Sequence, residues 1–221
     1  MRLVSFVLAC SLWGAAPVLA GAWLQQQGTG FFSLENALRR GPGGQSLETD
    51  VYLEYGLSQR LSGGLTLLQQ AGRSGHVTLF LKTPLGRTGA GAVTAAQLDM
   101  GAYVDGLDWY GLSKLTIAHG RGFRWGEGHG WVNIDAAIEY RAGEPYPFFK
   151  LDGTIGRSTG AALRPMLKLS VTQARSKPLI WSLAPHLLID GGDNLTWTLG
   201  LERKNDGTLS SALKLGIWRR F

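Results

Sequence analysis

From Leu209 to Phe221 the chain alternates strictly. Leu209, Ser211, Leu213, Leu215, Ile217, Arg219 and Phe221 fall on one side, and Ser210, Ala212, Lys214, Gly216, Trp218 and Arg220 on the other. A period of two marks an extended strand, because successive side chains point to opposite faces. A strand with one apolar face cannot stand alone. Its backbone needs partners along both edges, and its apolar side needs either a protein core or lipid.

The same period recurs along the chain. Twelve segments carry it, near 28–38, 46–57, 63–70, 76–83, 92–104, 112–120, 130–141, 148–156, 163–173, 179–189, 194–204 and 209–221. Ten remain if the first and the sixth, the weakest, are set aside. Between them lie turn-rich runs, such as Arg40-Gly41-Pro42-Gly43-Gly44 and Asn205-Asp206-Gly207. The 32 glycines follow no collagen-like repeat and punctuate these runs. Within the segments the faces are sharply unequal. Leu47, Thr49, Val51, Leu53, Tyr55 and Leu57 oppose Glu48, Asp50, Tyr52, Glu54 and Gly56. Val132, Ile134, Ala136, Ile138 and Tyr140 oppose Asn133, Asp135, Glu139 and Arg141. Pro185 interrupts one segment and removes a ladder donor there.

Charged residues make up 17% of the chain, below the roughly 25% of ordinary soluble domains. Beyond residue 20, no stretch approaches the ~18 consecutive apolar residues of a membrane helix. Two architectures fit. A soluble β protein would turn its apolar faces inward, whereas a transmembrane barrel would turn them to lipid. The stripe persists through nearly every segment, and the opposite face is small or charged. The chain is therefore expected to be all-β, a transmembrane antiparallel up-and-down β-barrel of 10–12 strands, with twelve favoured. At the N-terminus, Arg2, the apolar run from Leu3 to Leu12, and Val18-Leu19-Ala20 form a cleaved secretory signal, with cleavage expected before Gly21. Gly14 and Pro17 argue against a membrane anchor in the same stretch. The expected organisation is a leader over 1–20 and one barrel domain over 21–221. Cys10 is the only cysteine and falls in the leader, so no disulfide is expected in the mature chain.

The final strand, closing on Phe221, resembles the C-terminal strand of bacterial outer-membrane β-barrels. That resemblance implies the outer membrane of a Gram-negative cell as the location and lipid and lipopolysaccharide as surroundings. It also implies that Phe221 acts as an assembly signal for the barrel-assembly machinery. The segment Glu54-Tyr55-Gly56-Leu57-Ser58-Gln59-Arg60-Leu61 is similar to a strand–turn–strand repeat of small proteobacterial outer-membrane barrels of the transporter type. Some of those are implied to move hydrophobic compounds, and others to accompany polysaccharide secretion. No set of functional residues carries over. The implied function is a narrow passive channel, or a secretion- or export-associated barrel, for small solutes or polysaccharide. A non-conducting structural or envelope-polysaccharide-binding barrel, and a soluble periplasmic β protein, are the alternatives.

In the barrel reading Glu48, Asp50, Glu54, Asp135, Glu139, Lys150, Arg164 and Lys168 line the lumen. Asp99, Asp152, Glu202, Lys82, Lys114, Arg141, Lys204, Lys214 and Arg220 share their parity. Such a lining orients a passing solute, or its ion pairs fill a narrow interior. A narrow or largely filled lumen is favoured. The longest connection is expected at 120–130, where Arg121, Arg124, Trp125, Glu127 and His129 form a candidate ligand loop for a sugar or phosphate. Otherwise this stretch is a plain connection with interfacial aromatics. Trp109, Tyr110, Trp131, Tyr140, Tyr146 and Trp218 are expected at the membrane interfaces, a scheme that Trp181 and Trp197 do not fit.

Nucleic acid is not an expected partner, because the bases behind the formal charge of +6 are scattered. His76, His119, His129 and His186 are the histidines open to hydrolytic chemistry. His119 shares outward parity with Ser113 and Ser211, but no spacing makes them neighbours, and no Gly-x-Ser-x-Gly elbow is present. No enzyme, catalytic residue, metal site or cofactor is expected. His186 is expected to bond a lumen acid.

Overall fold

The computed structural model describes residues 21–70, 74–88, 91–159, 162–175 and 177–221. The expected leader, 1–20, lies outside the described residues. Twelve strands follow one another: β1 (Gly30–Gly41), β2 (Gly44–Ser58), β3 (Leu61–Gln70), β4 (Ser74–Thr88), β5 (Ala92–Asp105), β6 (Asp108–Trp125), β7 (Gly128–Arg141), β8 (Phe148–Arg157), β9 (Leu163–Ala174), β10 (Ile180–Asp190), β11 (Leu195–Asn205) and β12 (Leu209–Arg220). Each pairs antiparallel with the next, and β12 returns to β1 to close the barrel. Closure leaves no open edge, which lipid could not satisfy. At the seam, Gly30 N–H donates to the Phe221 carbonyl at 2.7 Å and Phe221 N–H to the Gly30 carbonyl at 3.1 Å.

The first and sixth strands are both present. β6, expected at 112–120, runs for 18 residues. The expected loop at 120–130 is therefore not a loop. Arg121, Arg124, Trp125 and His129 belong to the β6–β7 ladder, and only Gly126 and Glu127 turn the chain, with Gly126 at φ +60°. The glycines that suggested a connection make room within the sheet. A side chain on Gly130 would strike the rings of Phe123 and Trp125.

Parity holds around the whole barrel. The apolar stripes face outward, as at Leu79 and Leu81 of β4, Met100 of β5, Ile134 of β7, Leu151 of β8, Leu201 of β11 and Leu215 of β12, all exposed. A soluble fold would bury these side chains, so the inverted alternative fails. The outer face, about a dozen strands round, is an apolar belt suited to lipid. Pro185 points outward, and the β10–β11 pairing skips it between Leu183 and His186.

Four of the proposed interfacial residues stay outside, but Trp131 and Trp218 are turned inward and buried, and Tyr110 stacks on the inward Tyr103. Trp197, by contrast, stands outward near the start of β11, 52% exposed, where an interfacial Trp belongs.

Candidate functional site

The rim that carries Gly30 and Phe221 is here the terminal rim, and the opposite one is the distal rim. Ahead of β1, residues 21–29 do not hang outside. Gly28 N–H donates to the Gly56 carbonyl and Gly56 N–H to the Thr29 carbonyl, both at 3.0 Å, which ties the segment to β2. It then crosses the lumen. Gln25 N–H donates to Ser62 Oγ of β3 at 3.1 Å. Trp23 lies over Gly120 of β6, where a larger residue would meet its ring. Ala22 N–H donates to Asn133 Oδ1 of β7 at 2.9 Å, and Lys82 Nζ of β4 donates to the Gly21 carbonyl at 3.1 Å.

This segment completes an apolar cluster inside the barrel, with Ala22, Trp23, Phe31, Ala118, Trp131, Met166, Leu188 and Trp218 buried together. Phe31 meets Trp218 edge-on at 6.1 Å between centroids, and Tyr52 stacks on Phe80 at 5.3 Å. The cluster forms a partition. On its distal side lies a cavity of about 420 Å³, and on its terminal side one of about 350 Å³ that contains Arg164, Asp190 and Arg220. Phe31 and Trp218 line both.

Around the lumen the charges are paired, and the pairs follow barrel closure. Arg39 forms a two-pronged bridge to Glu48 (2.7 and 2.8 Å) and also reaches Glu202 (3.0 Å) and Ser210 (3.1 Å). Lys214 links Glu202 (3.4 Å) to Glu35 (2.7 Å), and Glu35 also meets Lys168 (3.6 Å) and His186 Nε2 (3.1 Å). One continuous network thus joins β1, β2, β9, β10, β11 and β12. Elsewhere Glu139 is held by Arg141 (2.6 Å) and Lys150 (2.5 Å), and Asp99 faces Lys114 (3.5 Å). Beneath the crossing segment Lys82 and Glu54 pair at 2.6 Å with 1% and 0% exposure. Burial this complete demands a partner, since an isolated charge in the interior is strongly disfavoured.

The eight residues proposed for the lumen divide between these settings. Glu48, Glu139, Lys150 and Lys168 belong to the ion-pair networks. Glu54 lies under the crossing segment. Asp50 and Asp135 line the distal cavity together with Lys150 and Lys168, while Arg164 lines the terminal one. Sequence reasoning missed Glu35 and Arg39, although their alternation with Ala37 in β1 is the available signal. It also missed residues 21–29, which carry no strand period. Of the proposed ligand-loop set, Arg121 and Trp125 share the outward parity of β6, Arg124 the inward, and His129 bonds Thr159 at the terminal rim.

His119 bonds Thr94 Oγ1 at 2.9 Å, while Ser113 and Ser211 sit at other register positions, opposite Tyr140 and Arg203 respectively. Among the described residues, no group of three His, Cys, Asp or Glu side chains is placed to hold a metal ion.

A closed, fully antiparallel twelve-stranded barrel with an apolar belt and a charged interior is the fold of bacterial outer-membrane barrels, and the outer membrane is its location. Neither a family model nor a curated protein sequence matches the chain. Solved structures do match. An outer membrane channel from Pseudomonas putida F1 superposes with a TM-score of 0.63 at 12% identity, over 90% of this chain and 97% of its own. The KdgM porin gives 0.60 at 8% identity, over 86% and 99%, and the NanC porin 0.58 at 8%, over 84% and 98%. These likenesses show a shared porin-like fold.

Proposed function

We propose that the protein is a narrow outer-membrane channel for small polar solutes or oligosaccharides, constricted by its own N-terminal segment. The observation that carries this reading is the pair of polar cavities, one on each side of a partition built from Trp23, Phe31 and Trp218. The distal cavity presents Glu35, Asp50, Asp135 and Asp152 beside Lys114, Lys150 and Lys168, so a passing solute meets both signs of charge. Hydroxyl-rich solutes suit such walls, because each sugar hydroxyl both donates and accepts. A KdgM porin structure in complex with oligogalacturonate supports this substrate class. So does the likeness of the hairpin at 54–61 to transporter-type barrels. Lipid and lipopolysaccharide around the belt, and recognition of Phe221 by the barrel-assembly machinery, belong to the same proposal.

Planar-bilayer recording tests it. Deleting residues 22–27, or replacing Trp23 with Ala where the deletion hinders folding, is expected to raise single-channel conductance several-fold over the intact barrel. If the intact and opened barrels both fail to conduct, the channel reading is wrong. A barrel that binds envelope polysaccharide without conducting would then stand, a reading that the filled partition also accommodates.

A further inference from the structure

We propose that removal of residues 1–20 creates a fixed cation inside the barrel: the α-ammonium of Gly21, paired with Asp135. The chain is pinned at this point from two sides. Lys82, shut off from solvent, holds the Gly21 carbonyl, and Asn133 accepts the Ala22 N–H. The same Asn133 donates through Nδ2 to Asp135 Oδ1 at 2.7 Å, so one amide side chain ties the chain end to that carboxylate. Gly21 and Asp135 line the same cavity.

The site also lacks a countercharge that Gly21 would supply. Asp135 stands directly opposite Asp152 in the β7–β8 register, and facing like charges destabilise a strand pair. Asp152 receives the Ser170 hydroxyl, which carries no charge. The ion pairs of the lumen are formed instead by Glu35, Glu48, Glu54, Asp99, Glu139 and Glu202.

Position 21 accepts only glycine. Its φ is +99°, and a Cβ there would overlap the Asn133 side chain. Hydrolysis of the Ala20–Gly21 amide consumes one water and yields the Ala20 carboxylate and the Gly21 amine, which is protonated at neutral pH. A leader left in place would keep that nitrogen as an uncharged amide and would continue from Gly21 into the lumen. Cleavage therefore completes the partition as well as releasing the barrel. The proposal is independent of whether the barrel conducts.

The test uses the protein recovered from outer membranes. Its intact mass is expected to start at Gly21. Acylation of that amine by an N-hydroxysuccinimide ester at neutral pH is expected to be at least about tenfold slower in the folded barrel than in urea, as a paired and protonated amine requires. Asp135→Asn keeps the shape and removes the charge, so it should restore much of the lost reactivity. Burial alone would leave the variant as protected as the wild type. Asp152→Asn serves as a second variant if Asp135→Asn does not fold, which its gel mobility before and after boiling reports. A different first residue, equal rates in the folded and unfolded states, or unchanged protection in the folded charge-removed variant would each overturn the proposal.

Discussion

Arg39 holds the most connected position among the lumen side chains. Its guanidinium satisfies Glu48 through two parallel bonds and Glu202 through a third, and its planar fork allows what a lysine ammonium could not. Arg39→Ala leaves both carboxylates facing one another without it. Removing one partner of a buried pair typically costs about 3–5 kcal/mol. The Glu144–Lys177 pair at the distal rim is half exposed, with Lys177 at 44%. Such a pair contributes at most about 1 kcal/mol, so Glu144→Gln should be nearly silent. Urea titration of the two variants in detergent, with intrinsic tryptophan fluorescence as the signal, should separate them clearly. Equal midpoints would show that the lumen network contributes little to stability.

At the scale of the strand, alternation survives every irregularity. The register shifts at Gly56/Ser58 and at Pro84/Gly86, yet the inward and outward faces remain continuous around the barrel. A one-residue slip would carry charged side chains into lipid, and this keeps the pairing in place. Leu215, outward and midway along β12, is a sensitive reporter. Leu215→Arg places a charge in the apolar belt and should cost about 2–4 kcal/mol. The same charge at Thr154, which lines the distal cavity, meets polar surroundings and should be tolerated. Folding yields in detergent for the two arginine variants would check this, and similar losses in both would argue against the assigned faces. Glycine acts at this scale in two ways, which explains the misplaced loop at 120–130. Its sequence signal is the same whether it turns the chain, as Gly126 does, or clears space for a ring, as Gly120 does beneath Trp23.

For the molecule as a whole, stability rests on closure. Every strand has two neighbours, and the last bonds join the first strand to the final residue. Such a barrel should resist detergent in the cold and unfold on boiling, so the outer-membrane fraction should show heat-modifiable gel mobility. A single unshifted band would count against a closed barrel. The strands, their order and the side each residue faces were legible in the sequence, because a period of two is a local property that each segment declares for itself. That is why Glu48, Asp50, Glu54 and Glu139 could be assigned to one face without knowing any neighbour. Which charges meet could not be read in this way. Arg39 and Glu202 lie 163 positions apart, and only closure of β12 on β1 brings their strands within reach. The crossing segment is equally a product of the tertiary structure. Residues 21–29 carry no period, and their place is set by complementarity to walls that exist only once the barrel has formed: Gly120 under Trp23, Asn133 beside Ala22, and Lys82 at the Gly21 carbonyl.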